Sequence, residues 1–241
     1  ERSRGLGDVY KRQVNINTTG APDWRTLLVG SLGAGGKGFF VLDVTNAANF
    51  VDPGNAASNV VVMDKTVTTN ADIGHIFAAP VVDELTRSRS EQIVRVNDSG
   101  TSGYRWAVIL GNGYNSTNER PVLLIQYLDG TKALRTIVAN ATTGQANGLG
   151  APRTVDLNGN GTVDLVYAGD LKGNLWKFDL TSSNPSNWKV AFSGNPLYTA
   201  RDSSGNTQPI TAAPIWKMGY DGTGIQVLFG TGQNIVATEL G

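Results

Sequence analysis

A short apolar run that ends in glycine recurs along the chain at long and similar intervals. The four copies are LLVG, VILG, VYAG and VLFG, which end at Gly30, Gly111, Gly169 and Gly230. Copies roughly 60 to 80 residues apart are typical of proteins built from repeated supersecondary units. Ala-Pro precedes the last three copies, and proline is tolerated at the first residue of a strand because its missing N–H costs little there. We therefore expect strands to begin after Ala79-Pro80, Ala151-Pro152 and Ala213-Pro214.

After the glycine, the first three copies continue into a second strand that closes on aspartate. These strands are GFFVLDV, VLLIQYLD and NLWKFDL, which close at Asp43, Asp129 and Asp179. Glycine-containing turns such as Lys172-Gly173-Asn174 join strands into hairpins. The runs NVVVMD and LRTIVAN supply fourth strands, while a sustained amphipathic helical period is hard to find. The sequence therefore predicts an all-β fold of four-stranded antiparallel sheets.

Four-stranded sheets at this interval are typical of a β-propeller, in which small sheets stack radially as blades. The copies are incomplete at both ends, because little chain precedes Gly30 and few residues follow Gly230. We expect residues 14–241 to form an arc of about four blades from a larger ring, since propellers close with about four to eight. Residues 1–13, ERSRGLGDVYKRQ, show no apolar periodicity and are interpreted as a foreign or disordered tail.

The composition narrows the function classes. The chain has 241 residues, 40% of them hydrophobic, and 30 glycines, as expected for a folded domain of short, turn-rich elements. Its 20 Lys and Arg balance 20 Asp and Glu, and no basic stripe is interleaved with aromatics, so no nucleic-acid partner is expected. No apolar run is long enough to predict a transmembrane segment. With no cysteine, disulfides, thiolate metal sites and a cysteine nucleophile are excluded.

The stretch DLNGNGTVD, residues 156–164, places oxygen-bearing side chains at alternate positions. Calcium is bound by about six to eight oxygens, which a tight loop supplies from positions 1, 3, 5, 7 and 9, with glycine at position 6. Position 7 contributes its backbone carbonyl. Position 12, where an EF-hand has glutamate, is Tyr167, so Asp164 with water would complete the shell. The candidate metal ligands are Asp156, Asn158, Asn160, Thr162 through its carbonyl, and Asp164.

An ordinary turn-rich loop is the alternative, because Asp, Asn and Gly dominate turns for reasons unrelated to metal. Of the candidate side chains, Asp156 and Asp164 carry charge, whereas Asn158 and Asn160 are neutral acceptors. Low ligand charge predicts weak calcium affinity, with a dissociation constant of about 10⁻⁴–10⁻³ M, as in extracellular modules.

Three other conspicuous residues are interpreted as structural. His75 has no second histidine or cysteine with which to share a metal. Trp176 alternates with charged residues in NLWKFD, so we expect it to pack between blades. Lys37 in GAGGKGFF resembles part of a phosphate loop, but it lies in a predicted hairpin turn with no helix after it.

Longer strings combine these motifs: LLVGSLGAGGKGFFVLDVTN, WAVILGNGYNS, NGLGAPRTVDLNGNGTVDLVYAGDLKGNLWKFDL, QPITAAP and LFGTG. With them, nearly everything after residue 25 resembles the C-terminal propeller of the PilC/PilY family of type IV pilus biogenesis and tip adhesin proteins. The resemblance implies that the five candidate ligands bind Ca²⁺ and that the ion regulates pilus extension, retraction and surface adhesion. Asn158 and Asn160 stand where that family often has acidic residues.

The resemblance also implies a non-enzymatic, exported protein at the outer membrane, cell surface and pilus tip. Its expected partners are pilins and minor pilins. Contacts with host or abiotic surfaces would be made through an N-terminal region that this chain does not contain.

Two other families remain as alternatives. AGDLKGNLWKFD also looks like a blade motif of quinoprotein dehydrogenases, which hold pyrroloquinoline quinone (PQQ) at the centre of a complete ring. Integrin-like propellers carry similar Asp/Asn loops, but they repeat the calcium loop in several blades. Here the equivalent place in the preceding blade reads DELTRSRSEQIVRVNDSGTSG, which lacks the spacing.

Overall fold

The computed structural model describes residues 9–51, 53–66, 69–77, 91–98, 103–220 and 222–233. Within these ranges the secondary structure is mostly short strands, with an α-helix over Pro53–Val60, a four-residue helical turn over Ala191–Gly194, and 3-10 turns over Gly33–Gly35, Ala47–Phe50 and Pro185–Asn187. In chain order the strands are β1 (Val9–Asn15), β2 (Trp24–Ser31), β3 (Phe39–Asp43), β4 (Val61–Asp64), β5 (Ile93–Asn97), β6 (Tyr104–Gly111), β7 (Val122–Tyr127), β8 (Leu134–Val138), β9 (Arg153–Val155), β10 (Thr162–Val163), β11 (Leu165–Gly169), β12 (Asn174–Asp179), β13 (Lys189–Val190), β14 (Tyr198–Thr199), β15 (Ile215–Met218) and β16 (Ile225–Leu228).

The first sheet has the order β1-β2-β3-β4 and is antiparallel throughout. Strand β1 pairs with β2 from Val9 opposite Gly30 to Asn15 opposite Trp24. Residues 9–13, which the sequence interpretation placed in a foreign or disordered tail, are therefore part of a strand, and residues 1–8 lie outside the described ranges. The segment VYKRQ has no proline or glycine, and β2 presents backbone N–H and C=O groups that need partners on this side.

The second sheet has the order β10-β5-β6-β7-β8. Strands β5 to β8 form an antiparallel meander, and β10 joins from much later in the chain by pairing in parallel with β5. Every residue of β7 is buried. Both faces of this sheet are therefore covered by neighbouring parts of the molecule.

The third sheet has the order β13-β12-β11-β9, and β14 also pairs with β12. Its central hairpin, β11–β12, turns at Gly173, where a φ of +79° suits a residue without a Cβ. Between β13 and β14 the chain makes a left-handed turn, because Phe192 and Ser193 have φ values of 55° and 57°. The last described strands, β15 and β16, form a two-stranded hairpin.

The core consists of apolar layers between successive sheets. Val29 and Val41 of the first sheet pack in one cluster with alternate residues of the second sheet, such as Val108. The intervening residues of the second sheet, such as Ile109, pack in another cluster with Trp176 of the third. A smaller cluster joins the third sheet to the β15–β16 hairpin through Val155, Leu165, Tyr167, Trp216, Ile225 and Val227.

This series of stacked, mainly antiparallel sheets confirms the all-β prediction, and it is the arrangement expected of consecutive propeller blades. Trp176 is 3% exposed and packs between two sheets, as predicted. Strands begin directly after Pro152 and Pro214, also as predicted. The third expected strand start, after Ala79-Pro80, lies outside the described residues.

Candidate metal centre

The predicted calcium loop connects β9 to β11 in the third sheet. Asp156 follows the last residue of β9, and Asp164 precedes the first residue of β11. The backbone N–H of Asp164 donates to the carbonyl of Val155 at 2.9 Å. The two ends of the loop are therefore fixed next to each other by the antiparallel pairing of the flanking strands.

Two glycines shape the loop between these ends. Gly159 has a φ of +72° and Gly161 a φ of +80°, in the left-handed region that side chains disfavour. Gly161 occupies the sixth position, where the sequence pattern predicted a sharp turn. The predicted turn is therefore confirmed.

Oxygen atoms of the candidate side chains point back at the loop's own backbone. The Asp156 carboxylate accepts hydrogen bonds from the N–H groups of Gly159 at 2.8 Å and Gly161 at 2.6 Å. The Asn158 Oδ1 accepts from the N–H of Asn160 at 3.0 Å. In the same way, the Asn160 Oδ1 accepts from the N–H of Thr162 at 2.8 Å. Local bonds of this type give the loop a defined shape from its own residues.

Asp164 forms the base of the loop and is 7% exposed. Its Oδ2 accepts a hydrogen bond from the N–H of Leu157 at 2.8 Å. Burial raises the pKa of the Asp164 carboxyl, and the negative charges of Asp156 and Asp179 raise it further. Burial and the neighbouring carboxylates therefore disfavour the charged form of Asp164, and the hydrogen bond from Leu157 partly offsets this effect.

The structure brings the four candidate side chains onto one loop, with Asp156 and Asp164 close enough to interact electrostatically. Thr162 lies in β10, and its backbone pairs with β5. Among the described residues, no group of three or more His, Cys, Asp or Glu side chains is placed to hold a metal ion. The candidate ligands named from the sequence are two carboxylates, two amides and a backbone carbonyl, and calcium prefers oxygen ligands of these kinds.

Arg95 contacts this loop from β5, and sequence reasoning did not identify it. Its Nη2 donates to the carbonyl of Asn160 at 2.8 Å, and its Nε donates to the carbonyl of Gly161 at 3.0 Å. Its guanidinium carbon lies 4.7 Å from the ring centre of Tyr104. No local signal in the sequence could have indicated a contact between residues so far apart in the chain.

The residues interpreted as structural have structural surroundings. The Nδ1 of His75, a buried residue, lies 2.9 Å from the carbonyl oxygen of Gly33, and the ring stacks near Phe77. Lys37 is followed by β3 rather than by a helix. Neither residue therefore contributes to the candidate metal centre.

The quinoprotein-like motif AGDLKGNLWKFD forms the β11–β12 hairpin and its turn. The fully buried Asp170 accepts hydrogen bonds from the side chains of Asn147 at 3.1 Å, Asn174 at 3.0 Å and Trp176 at 2.9 Å. The backbone N–H groups of Lys172 and Asn174 donate to the other carboxylate oxygen. The aspartate of this motif therefore holds the turn together.

In the described part of the chain, none of the helical segments has the length and apolar character required to cross a bilayer.

Comparisons with known proteins agree with this architecture. A family model described as the PilY1 beta-propeller domain matches residues 9–240. The chain is 38% identical over 226 residues to the type IV pilus biogenesis factor PilY1 of Pseudomonas aeruginosa, a match that covers 87% of this chain and 17% of that protein. It is 36% identical over 231 residues to a PilY1 homolog of Xylella fastidiosa, covering 90% of this chain and 14% of the homolog.

The crystal structure of the Pseudomonas aeruginosa PilY1 C-terminal domain matches with a TM-score of 0.75 and 35% identity, covering 97% of this chain and 45% of that one. The chain thus spans less than a fifth of the length of the curated relatives just named. The resemblance drawn from the sequence motifs is confirmed, and the chain belongs to the PilY1 β-propeller domain family.

Proposed function

We propose that this β-propeller is a calcium-binding part of a type IV pilus biogenesis protein, and that calcium binding regulates pilus extension, retraction and surface attachment. One observation carries the proposal. In a chain of the PilY1 propeller family, residues 156–164 present two carboxylates and two amide side chains on a single loop with fixed ends.

The donor groups of this loop retain the capacity to bind a cation. A carboxylate has about four lone-pair positions, so an Asp156 oxygen that accepts one N–H keeps another lone pair for a metal. The same holds for the Asp164 Oδ2 and for the amide oxygens of Asn158 and Asn160. When bound, Ca²⁺ would supply positive charge that offsets the paired carboxylates.

The wider role of the protein is proposed from its relatives, which are named type IV pilus biogenesis factors rather than enzymes. We place the protein outside the cell, at the outer membrane and pilus tip, in contact with pilins and minor pilins. Attachment to host or abiotic surfaces would involve regions that lie beyond this chain. The propeller itself would act as a non-enzymatic scaffold.

Thermal unfolding with and without calcium tests the metal site. Calcium is expected to raise the Tm, because an ion that binds the folded loop and not the unfolded chain stabilises the native state by mass action. Magnesium is expected to do so poorly, because it requires a smaller octahedral shell and releases its waters reluctantly. Asp164→Ala is expected to abolish the calcium-dependent rise while the metal-free protein stays folded.

Asp202→Ala is the matched control. Asp202 also holds a glycine turn, since it accepts from the N–H groups of Ser204 and Asn206, but it lies outside the loop. Its variant is expected to keep the full calcium response. If millimolar calcium leaves the Tm of the parent protein unchanged, residues 156–164 are an ordinary turn-rich loop.

Attachment and twitching test the cellular role. Asp164→Ala in the full-length gene is expected to change one or both in a calcium-dependent way. If both respond to calcium as in the parent strain, the proposed regulation is wrong even if the loop binds the ion.

A further inference from the structure

The candidate calcium loop belongs to the third sheet but also extends the second. Its seventh and eighth residues form β10, which pairs in parallel with β5, with Thr162 opposite Arg95 and Val163 opposite Val96. The Val163 side chain is 4% exposed and packs in the cluster that joins the two sheets. The loop is therefore part of the junction between the sheets.

Arg95 makes the most specific contact across this junction. Its planar guanidinium donates to two consecutive carbonyls, those of Asn160 at 2.8 Å and Gly161 at 3.0 Å. The face of the same group lies 4.7 Å from the ring centre of Tyr104, which restricts its orientation. These hydrogen bonds go to backbone carbonyls, so the Asp156 and Asp164 carboxylates are not used by the arginine.

Gly161 is matched to this contact. A Cβ at this position would lie 2.0 Å from the Nη2 of Arg95, so any side chain would displace the guanidinium. The sixth loop residue thus serves both the sharp turn and the close approach of the arginine.

Another side chain of β5 also donates a hydrogen bond across the junction. The side-chain amide of Asn97, two residues after Arg95 on β5, donates to the carbonyl of Thr181 at 2.9 Å. The end of β5 is therefore tied to the third sheet at two places, and one of these is the loop.

We infer that Arg95 is a positioning residue for calcium binding, and that the loop works as a calcium-dependent clasp between the second and third sheets. The inference rests on the proposed calcium site. Arg95 restrains the middle of the loop before the ion arrives, which lowers the ordering cost of binding. By thermodynamic reciprocity, calcium then strengthens the β5–β10 junction by the same factor by which the junction strengthens calcium binding.

Calcium titration calorimetry on Arg95→Met and Arg95→Lys tests the positioning role. Both variants are expected to bind calcium roughly tenfold more weakly than the parent, because both lose the two-point contact that holds the middle of the loop in place. Lysine keeps the positive charge and methionine removes it. Comparing the two variants therefore separates the positioning of the loop from repulsion between the side chain and Ca²⁺. If repulsion dominates instead, Arg95→Met will bind more tightly than the parent and the inference is wrong.

Arg201→Met is the matched control. Arg201 also donates to the carbonyl of a turn glycine, Gly205, at 2.7 Å, but it does so outside the calcium loop. This variant removes the same charge and the same kind of contact, and it is expected to bind calcium as the parent does.

Hydrogen exchange distinguishes a role of Arg95 in calcium binding from a role in the fold alone. Calcium is expected to slow amide exchange in β5 and β10 of the parent, and to have little effect there in Arg95→Met. A parent that binds calcium without slower exchange in these strands overturns the clasp. A parent that binds no calcium overturns both the clasp and the proposed site, whereas equal calcium affinity in the Arg95 variants overturns only the positioning role.

Discussion

Asp170 is a fully buried carboxylate whose hydrogen bonds connect the β11–β12 turn to the loop between β8 and β9. Its acceptor oxygens face N–H groups of Asn147, Asn174 and Trp176. Removing the negative charge from such a position leaves buried donors without a good acceptor, which is costly. This residue is therefore expected to be among the most sensitive to substitution.

Asp170→Asn is expected to lower the free energy of unfolding by about 3 kcal/mol, because the new amide N–H₂ would face other donors in a buried site. Urea denaturation measures this change. Asp202→Asn is the control, because Asp202 makes the same pattern of bonds to Ser204 and Asn206 on an exposed turn. Equal losses in the two variants would contradict the role of burial.

Asp72 gives a pH dependence with a defined sign. The bidentate hydrogen bond from Arg120, at 2.8 Å to each carboxylate oxygen, lowers the pKa of Asp72, and Asn118 contributes in the same direction. A carboxyl whose pKa is lower in the folded state stabilises the protein above its unfolded pKa of about 3.9. That contribution is lost as the pH falls through the folded pKa.

Asp72→Asn is therefore expected to reduce stability at pH 7 by about 1–2 kcal/mol and to flatten the loss of stability below about pH 4. Chemical denaturation at a series of pH values checks both effects. Asp129→Asn is the control. Burial raises the pKa of Asp129, so this variant should not reduce the loss of stability at acid pH. If Asp72→Asn loses stability at acid pH as steeply as the parent, Asp72 does not have a lowered pKa in the folded protein.

At the scale of elements, the sequence predicted the strands with strong local signals. The glycine-ended runs lie in or directly after β2, β6, β11 and β16, and the Ala-Pro signals precede β9 and β15. The Asp/Asn spacing also predicted the loop shape, because each side chain bonds to a backbone group within five residues. Local patterns succeed where local hydrogen bonds determine the conformation.

The remaining features depend on contacts between distant segments. Strand β10 is two residues long, shorter than any recognisable strand pattern, and its partner β5 lies far earlier in the chain. Strand β1 has no Ala-Pro signal. Residues 9–13 were interpreted as a tail because they show no apolar alternation of their own, and their strand conformation depends on pairing with β2. Arg95 gave no signal because its role depends entirely on the fold.

Glycine substitutions test the fit between the loop and the second sheet. Gly159 and Gly161 both have left-handed φ values, so alanine at either position is expected to cost about 1 kcal/mol in strain. Gly161→Ala must also displace Arg95, whereas a Cβ at Gly159 meets no described atom within 4 Å. Thermal unfolding is therefore expected to show a clearly larger loss of stability for Gly161→Ala. Equal losses would contradict the contact between the loop and β5.

At the scale of the molecule, the sheets stack in series, and the outer face of the β15–β16 hairpin exposes apolar side chains. Ile215 and Leu228, which face each other across the hairpin, are 54% and 48% exposed. Exposed apolar patches and open sheet edges favour association between copies.

Ile215→Lys is expected to reduce self-association of the purified chain, because it places a charge in this apolar pair. Light scattering over a concentration series measures the effect. Val51→Lys is the control, since Val51 is 81% exposed and lies away from the hairpin. A similar reduction in both variants would show that added charge, rather than this face, controls association.

We propose that residues 156–164 bind calcium in a propeller of the PilY1 family. Isothermal titration calorimetry of the purified chain with calcium measures this binding. We expect one saturable site with a dissociation constant of about 10⁻⁴–10⁻³ M, lost in Asp164→Ala and retained in Asp202→Ala. No binding heat at millimolar calcium, or equal binding by Asp164→Ala and the parent, would contradict the claim.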